Sequence, residues 1–385
     1  MKNNQLLILA GLLAGLTACN NVQVLDQRND GQIALRTTVA TSTKAVGLTT
    51  DALKSQGFHL AVFEGPIAEA NVVKYFEMDM GNDQYKSDGY YTPYFWNDKT
   101  LHFYAWYPIS EDGTNGAGTL VVNEDSGYSL TYTPAQSAAL QKDLSIAYNT
   151  GTKEGNASAG VNMNFRHALS QVQIVVNNGS TLADNTVIVK GLKVGNSIKS
   201  GTIAMPVIST EAAAAEGNLL TGLWSGNVKT ATGDKNIQDY TIIHDSPISI
   251  ARGTEQSVMG AGGNWMIVPQ TLTPENAWDT EAGGAGECMY MALLVKLMQG
   301  SATVYPSAST PAADKEGDYA WTAVPIPSGS VLEAGKKYTF TLTFVINTGN
   351  AGNRISDGEE ILSHPIKLVV TVDDWVEVSN GEVLY

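Results

Sequence analysis

The chain has 385 residues, enough for two β domains, and only 16% of them are charged, with a formal net charge of −15. An acidic, charge-poor chain lacks the basic face that nucleic-acid phosphates require. Two cysteines, Cys19 and Cys288, leave no CxxC metal site.

Residues 1–18 read as an export signal. Lys2 supplies the positive start, and Leu6 to Leu16 is an apolar stretch of eleven, too short to span a bilayer. Leu16-Thr17-Ala18-Cys19 ends it in the pattern of a lipoprotein signal, with Cys19 as the lipidated residue. That assignment takes Cys19 out of any pairing, so the mature monomer has no disulfide to form. Lipid on Cys19 is then the expected membrane attachment.

Residues 19–44 read as a propeptide. Asn20 to Asp30 is mostly polar. Ile33, Leu35 and Val39 then alternate with polar or small residues, with Thr37 in the same phase, which is the period of a half-buried strand. Lys44-Ala45 follows, a basic residue beside small ones, as a proteolytic site requires. Arg36 is the alternative site, but it lies inside the strand, where ladder bonds would hold it.

From residue 45 onward almost every legible element is a strand. Phe58, Leu60 and Val62 alternate with His59, Ala61 and Phe63, and Val72 to Phe76 answers them after Gly65-Pro66. Tyr90, Tyr91, Tyr94, Phe95 and Trp96 cluster around Pro93. Leu101, Phe103, Ala105 and Tyr107 alternate with His102, Tyr104 and Trp106. Shorter strands are expected over 119–122, 128–132 and 143–148, with one or two helical turns over 135–142. The polar, Gly-rich segment 149–160 is the expected boundary between an N-terminal domain, 45–160, and a C-terminal domain, 161–385.

In the second half, Val172, Ile174 and Val176 alternate with glutamines, and strands are expected over 186–194 and 200–203. Met289 to Met298 is an apolar run of ten, read as a buried strand from its glycine boundaries. The clearest alternation comes last, in Tyr338, Phe340, Leu342, Phe344 and Ile346. Ile366, Leu368, Val370 and Val372 answer it, and Asp373-Asp374-Trp375 shifts the phase as a bulge would. Beyond it, Val376 and Val378 share a phase, and Val383 to Tyr385 resumes an apolar run. Many short strands, no long amphipathic helix and no fixed repeat give two β-sandwiches in series.

No catalytic constellation is visible. The five histidines (His59, His102, His167, His244 and His364) form no HExxH pair, and His59 and His102 take the outward phase of their strands. Asp373-Asp374 and Glu359-Glu360 are adjacent pairs, whereas glycoside hydrolysis needs two carboxyls across a cleft. Nucleotide-binding glycine patterns and GxSxG are absent. The aromatic residues near Trp96 and Trp106 suit either packing between sheets or a sugar-stacking platform, and packing is the commoner use. Neither a cofactor nor a metal is expected.

These pieces together resemble the fimbrillin-like proteins of Bacteroidales, the Mfa-like and FimA-like type V pilins. The resemblance rests on the lipoprotein signal, the strand before a basic site, Phe95-Trp96, Leu101 to Pro108, Asp143-Leu144, Phe165 to Val172 and Ile366 to Trp375. It implies two transthyretin-like β-sandwich domains and export as a lipoprotein to the outer membrane. It also implies proteolytic removal of the first strand and polymerisation with other pilin subunits by strand exchange. This chain has Lys44 where many members have arginine. The displaced strand would be that of Ile33, Leu35 and Val39, and the donor the C-terminal segment with Val376, Val378, Val383 and Tyr385. The alternatives are a lipid-anchored glycan-binding adhesin and a tip or anchor subunit that does not polymerise.

Overall fold

The computed structural model describes residues 32–39, 53, 56–64, 72–79, 84–87, 90–91, 94–108, 119–123, 129–204, 224–226, 236–260, 263–272, 288–327, 329–348, 351–354 and 366–374. The first part of the chain gives β1 (Leu35–Val39), β2 (Phe58–Glu64), β3 (Val72–Asp79), β4 (Gln84–Ser87), β5 (Tyr90–Tyr91), β6 (Leu101–Tyr107), β7 (Thr119–Asn123), β8 (Ser129–Thr133), β9 (Ser145–Gly151) and β10 (Val161–His167). Next come β11 (Ser170–Asn178), β12 (Asn185–Ile198), β13 (Gly201–Ala204), β14 (Trp224–Ser225), β15 (Ile237–Ala251), β16 (Glu255–Ser257), β17 (Trp265–Ile267) and β18 (Gln270–Thr271). The last are β19 (Tyr290–Gln299), β20 (Ala302–Tyr305), β21 (Lys315–Glu316), β22 (Tyr319–Pro325), β23 (Val331–Leu332), β24 (Lys336–Phe344) and β25 (Lys367–Asp374). The all-β expectation is met: the described helices are single turns such as Ala138–Leu140 and Lys153–Asn156.

The N-terminal sheet runs β1-β10-β9-β6-β2-β3-β4-β5, and both its faces are covered. Phe58, Leu60 and Val62 enter one core with Phe103, Val161 and Phe165. Ala61, Phe63, Tyr104 and Trp106 enter a second core with Leu130, Tyr132 and Ile203 from the sheet β14-β13-β8-β7. That second sheet overturns the outward placement of His59 and His102. They are 1% and 7% exposed, because the face they occupy is covered. His59 stacks on Trp106, and His102 Nδ1 lies 2.8 Å from the Tyr148 hydroxyl.

Sheet pairing cuts across the expected boundary at residue 160. β10, just beyond it, pairs with β9 and β1, and its apolar side chains fill the first core. β13 pairs with β8 across it in the other direction. Gln141 adds a buried link, with Nε2 donating to the carbonyls of Ala135 and Met266 and Oε1 accepting from the Met266 amide at 2.7 Å.

The C-terminal core lies between the sheet β16-β11-β24-β25 and the sheet β15-β12-β19-β22-β21. Val172, Ile174, Phe340 and Leu342 meet Val187, Leu293 and Val295 there. β15, fifteen residues long, escapes the sequence reading because its polar face and Pro247 interrupt the alternation.

β25 departs from expectation twice. Asp373 and Asp374 stay in register with Lys337 and Lys336, so no bulge occurs up to Asp374. Its valines are also open: Val369, Val370 and Val372 are 45%, 40% and 50% exposed. Among the described residues β25 pairs only with β24; the side chains of Ile366 and Leu368 pack against the C-terminal core, while the valines beyond them stay open.

Candidate functional site

β1 sits at the edge of the N-terminal sheet, parallel to β10, with Leu35 opposite Val161, Thr37 opposite Met163 and Val39 opposite Phe165. Its inward residues are fully packed. Ile33 is 0% exposed, Leu35 1%, Thr37 8% and Val39 4%, while Arg36 is half-buried. Beneath them lie Phe58, Trp96, Phe103 and Met163, all in one core with the strand. Phe58 meets Phe165 edge-on at 5.0 Å, although β2 and β10 are three strands apart, so the sheet curls over this core and β1 closes it.

The backbone is held on both sides of its start. The Ile33 amide donates to the Tyr94 carbonyl at 2.8 Å, and Gln32 bridges Phe95. On the β10 side, the Val161 amide donates to the Ala34 carbonyl at 2.9 Å. Gly160, with φ of +76°, permits that approach: a Cβ there would stand 3.1 Å from the Ala34 oxygen. Asn156 fixes the turn, its Nδ2 donating to the Gly160 carbonyl at 3.0 Å.

Two polar atoms in this core have no hydrogen-bond partner among the described residues. The Thr37 hydroxyl is buried and has no hydrogen-bond partner among the described residues. The Trp96 indole nitrogen, in the same core, is in the same condition.

The electrostatics around the site are those of a dry core. Burial, with the Glu64 carboxylate second, pushes the Tyr94 phenol up to about 12. Burial, with Asp143 second, does the same for Tyr107, whose hydroxyl donates to Gln56 Oε1 at 2.6 Å. Burial holds the His102 imidazole below its ordinary value. Nothing in this set forms a nucleophile and base facing a cleft. No cluster of three metal-ligating side chains occurs among the described residues. Trp96 and Trp106 are buried at 7% and 0% exposure, so these two rings offer no platform to a sugar.

The expected displaced strand of Ile33, Leu35 and Val39 is therefore a packed edge strand. Cys19, Lys44 and Ala45 lie outside the described residues, as do Val376, Val378, Val383 and Tyr385. What the sequence reading missed is Thr37 as the misfit of the strand, since only packing reveals an unanswered hydroxyl.

The sequence matches the fimbrillin-like family over residues 43–375. The fold is similar to that of a fimbrial protein from Bacteroides vulgatus ATCC 8482, at 16% identity and a TM-score of 0.53, covering 90% of this chain and 100% of that one. A candidate cell adhesion protein from Bacteroides ovatus ATCC 8483 aligns at 15% identity over 91% of this chain and 99% of its own, with a TM-score of 0.43. One from Bacteroides uniformis ATCC 8492 aligns at 14% over 91% and 100%, with a TM-score of 0.39. No curated relative matches the sequence.

Proposed function

The chain belongs to the fimbrillin-like family, and from that premise we propose that it is a structural subunit of a cell-surface fimbria, assembled by strand exchange between lipoprotein precursors. Export would place lipid on Cys19 at the outer membrane. Proteolysis after Lys44 would then cut the link between β1 and the rest of the subunit. The vacated groove would accept a strand from the C-terminal part of another copy, β25 or the segment of Val376, Val378, Val383 and Tyr385 beyond it.

The observation that carries this reading is the state of β1. Among the described residues it is an edge strand paired along its length with β10 alone, yet its inward side chains complete a core. Removing it leaves a row of unpaired backbone groups beside an apolar slot, and a single incoming strand answers both needs. A cut after Lys44, five residues past Val39, would release this strand with the rest of residues 19–44.

The test is the N-terminal sequence of protein recovered from cell-surface fibres. The expected start is Ala45, in material that runs as a detergent-resistant ladder. A mature form that begins at Cys19 and retains β1 would overturn exchange at this groove and make the chain an anchor or a non-polymerising surface lipoprotein.

A further inference from the structure

A cleft of about 280 Å³ opens beside the hairpin of β21 and β22, and its walls include Lys296, Thr303, Ser307, Lys315, Gly317 and Asp318. It shares no residue with the β1 groove. Three pieces of chain build it. β19 and β20 are antiparallel with Met298 opposite Thr303, which puts Thr303 on the same face as Lys296, two residues before Met298. Gly317-Asp318 is the two-residue turn between β21 and β22, since Glu316 pairs with Tyr319. Gly317 has the positive φ (+61°) that such a turn demands, and the turn holds Asp318 at the rim. Ser307 lies in a loop closed on itself: its amide donates to the Thr310 hydroxyl at 2.9 Å, and the Thr310 amide donates back to the Ser307 carbonyl at 3.2 Å. The cleft is thus preformed, and a ligand need not order it.

Its charges are weakly answered. The Lys296 side chain is only 24% exposed, yet its ion pair is with Asp318 at 3.7 Å, whose side chain is 83% exposed. A pair so open to water contributes little. Lys315 is exposed and forms no ion pair among the described residues. The Thr303 hydroxyl meets the Met298 sulfur at 3.4 Å, a weak acceptor. Two ammonium groups therefore border one cleft in a chain whose acidic residues outnumber its basic ones 38 to 23.

Lysines and a carboxylate in one cleft restrict what fits it. Inorganic phosphate would gain from Lys296 and Lys315 but meet repulsion from Asp318. A neutral sugar would use Asp318 and the hydroxyls and leave the ammonium groups unanswered. A sugar with its own carboxylate suits both: that carboxylate accepts from the lysines, while its hydroxyls donate to Asp318 and accept from Thr303 and Ser307. The volume falls just below the range of about 300–1,000 Å³ for drug-sized ligands, which suits a single sugar ring. We propose that this cleft binds an acidic sugar, one carboxylated residue of a glycan, and so gives the subunit a recognition function separate from its assembly.

Saturation-transfer NMR on the full-length protein tests this, with methyl glucuronide, methyl glucoside and inorganic phosphate as probes. The glucuronide should bind saturably with a Kd on the order of millimolar, the glucoside should bind about tenfold more weakly, and phosphate should compete poorly. Lys296→Gln with Lys315→Gln should weaken glucuronide binding about tenfold or more and leave the glucoside unchanged. Asp318→Asn should weaken the glucuronide and strengthen competition by phosphate. Lys315→Gln alone, at an exposed position, keeps the test open if the double variant does not fold, and should itself weaken the glucuronide. No glucuronide binding, binding unaltered by the lysine substitutions, or phosphate competing as well as the glucuronide binds would each overturn the assignment, the last by making the cleft a plain anion site.

Discussion

Leu35→Ala probes whether β1 is a separable unit. Leu35 is 1% exposed in the middle of the strand. A Leu→Ala change in a core costs about 2–5 kcal/mol, and an edge strand can settle inward, so about 2–3 kcal/mol is expected here. That loss bears on a thin balance. Burying Ile33, Leu35 and Val39 contributes roughly 5–9 kcal/mol together at about 1.5–3 each, and ladder hydrogen bonds add about 1 kcal/mol each. Ordering the seven residues 33–39 costs roughly 7–14 kcal/mol at about 1–2 per residue. The sum lies within a few kcal/mol of zero, so the covalent link supplies much of what keeps β1 in place. Hydrogen exchange in the uncut precursor reads the effect directly, because the Val161 amide is protected by the Ala34 carbonyl. In Leu35→Ala, exchange across 161–165 should rise roughly 30- to 150-fold, the factor that about 2–3 kcal/mol gives. Exchange in β6 and β9 should barely change. A uniform loss of protection through the whole sheet, or no change at 161–165, would refute the idea that β1 leaves alone.

Cys19→Ala should abolish metabolic labelling by a fatty acid and leave unprocessed precursor; undiminished labelling would place the lipid elsewhere. Gln141→Ala removes a buried side chain that both accepts from and donates to the Met266 backbone. The buried Met266 groups it strands should cost about 1–3 kcal/mol in chemical denaturation. His102 should make the fold acid-sensitive. Its pKa is lower folded than unfolded, through burial, so the neutral form is favoured and the stability it contributes is complete above about 6.5 and lost as pH falls below. His102→Gln should flatten that part of the stability–pH curve, and an unaltered curve would assign the acid sensitivity to other groups.

Alternation made the strands legible wherever one face was polar or the run was long. β24 and β1 both follow their period-2 pattern into the core. The pattern misleads where a sheet is covered twice, because His59 and His102 sit in the polar phase and are buried by a sheet built partly from β13, some hundred residues later. It also misleads at β25, whose alternation matches that of a core strand. Exposure there is set by what lies opposite, and that is a tertiary property. β10 shows the limit for domain boundaries. Nothing in Val161 to His167 tells which sheet it joins; that follows from Phe165 meeting Phe58 and from the parallel pairing with β1. Of the candidate site, the apolar positions were readable and the Thr37 misfit was not.

The tether explains the order of events that such an assembly needs. While β1 is joined to β2 through residues 40–57, its effective concentration at the groove would be on the order of millimolar. A strand on another copy, present at far lower concentration and repelled by a like negative net charge, would not compete even if it fitted better. In the proposed assembly, cutting the linker would remove that advantage at once and leave two strands to be judged by fit alone. A leaving strand that packed perfectly would then stay bound and block growth. One that failed to pack would leave an open edge during export, exposed to pairing with any chain. β1, with three well-buried aliphatic side chains and one buried hydroxyl without a partner among the described residues, would sit between those failures in the proposed assembly, closing the groove while tethered and yielding once cut.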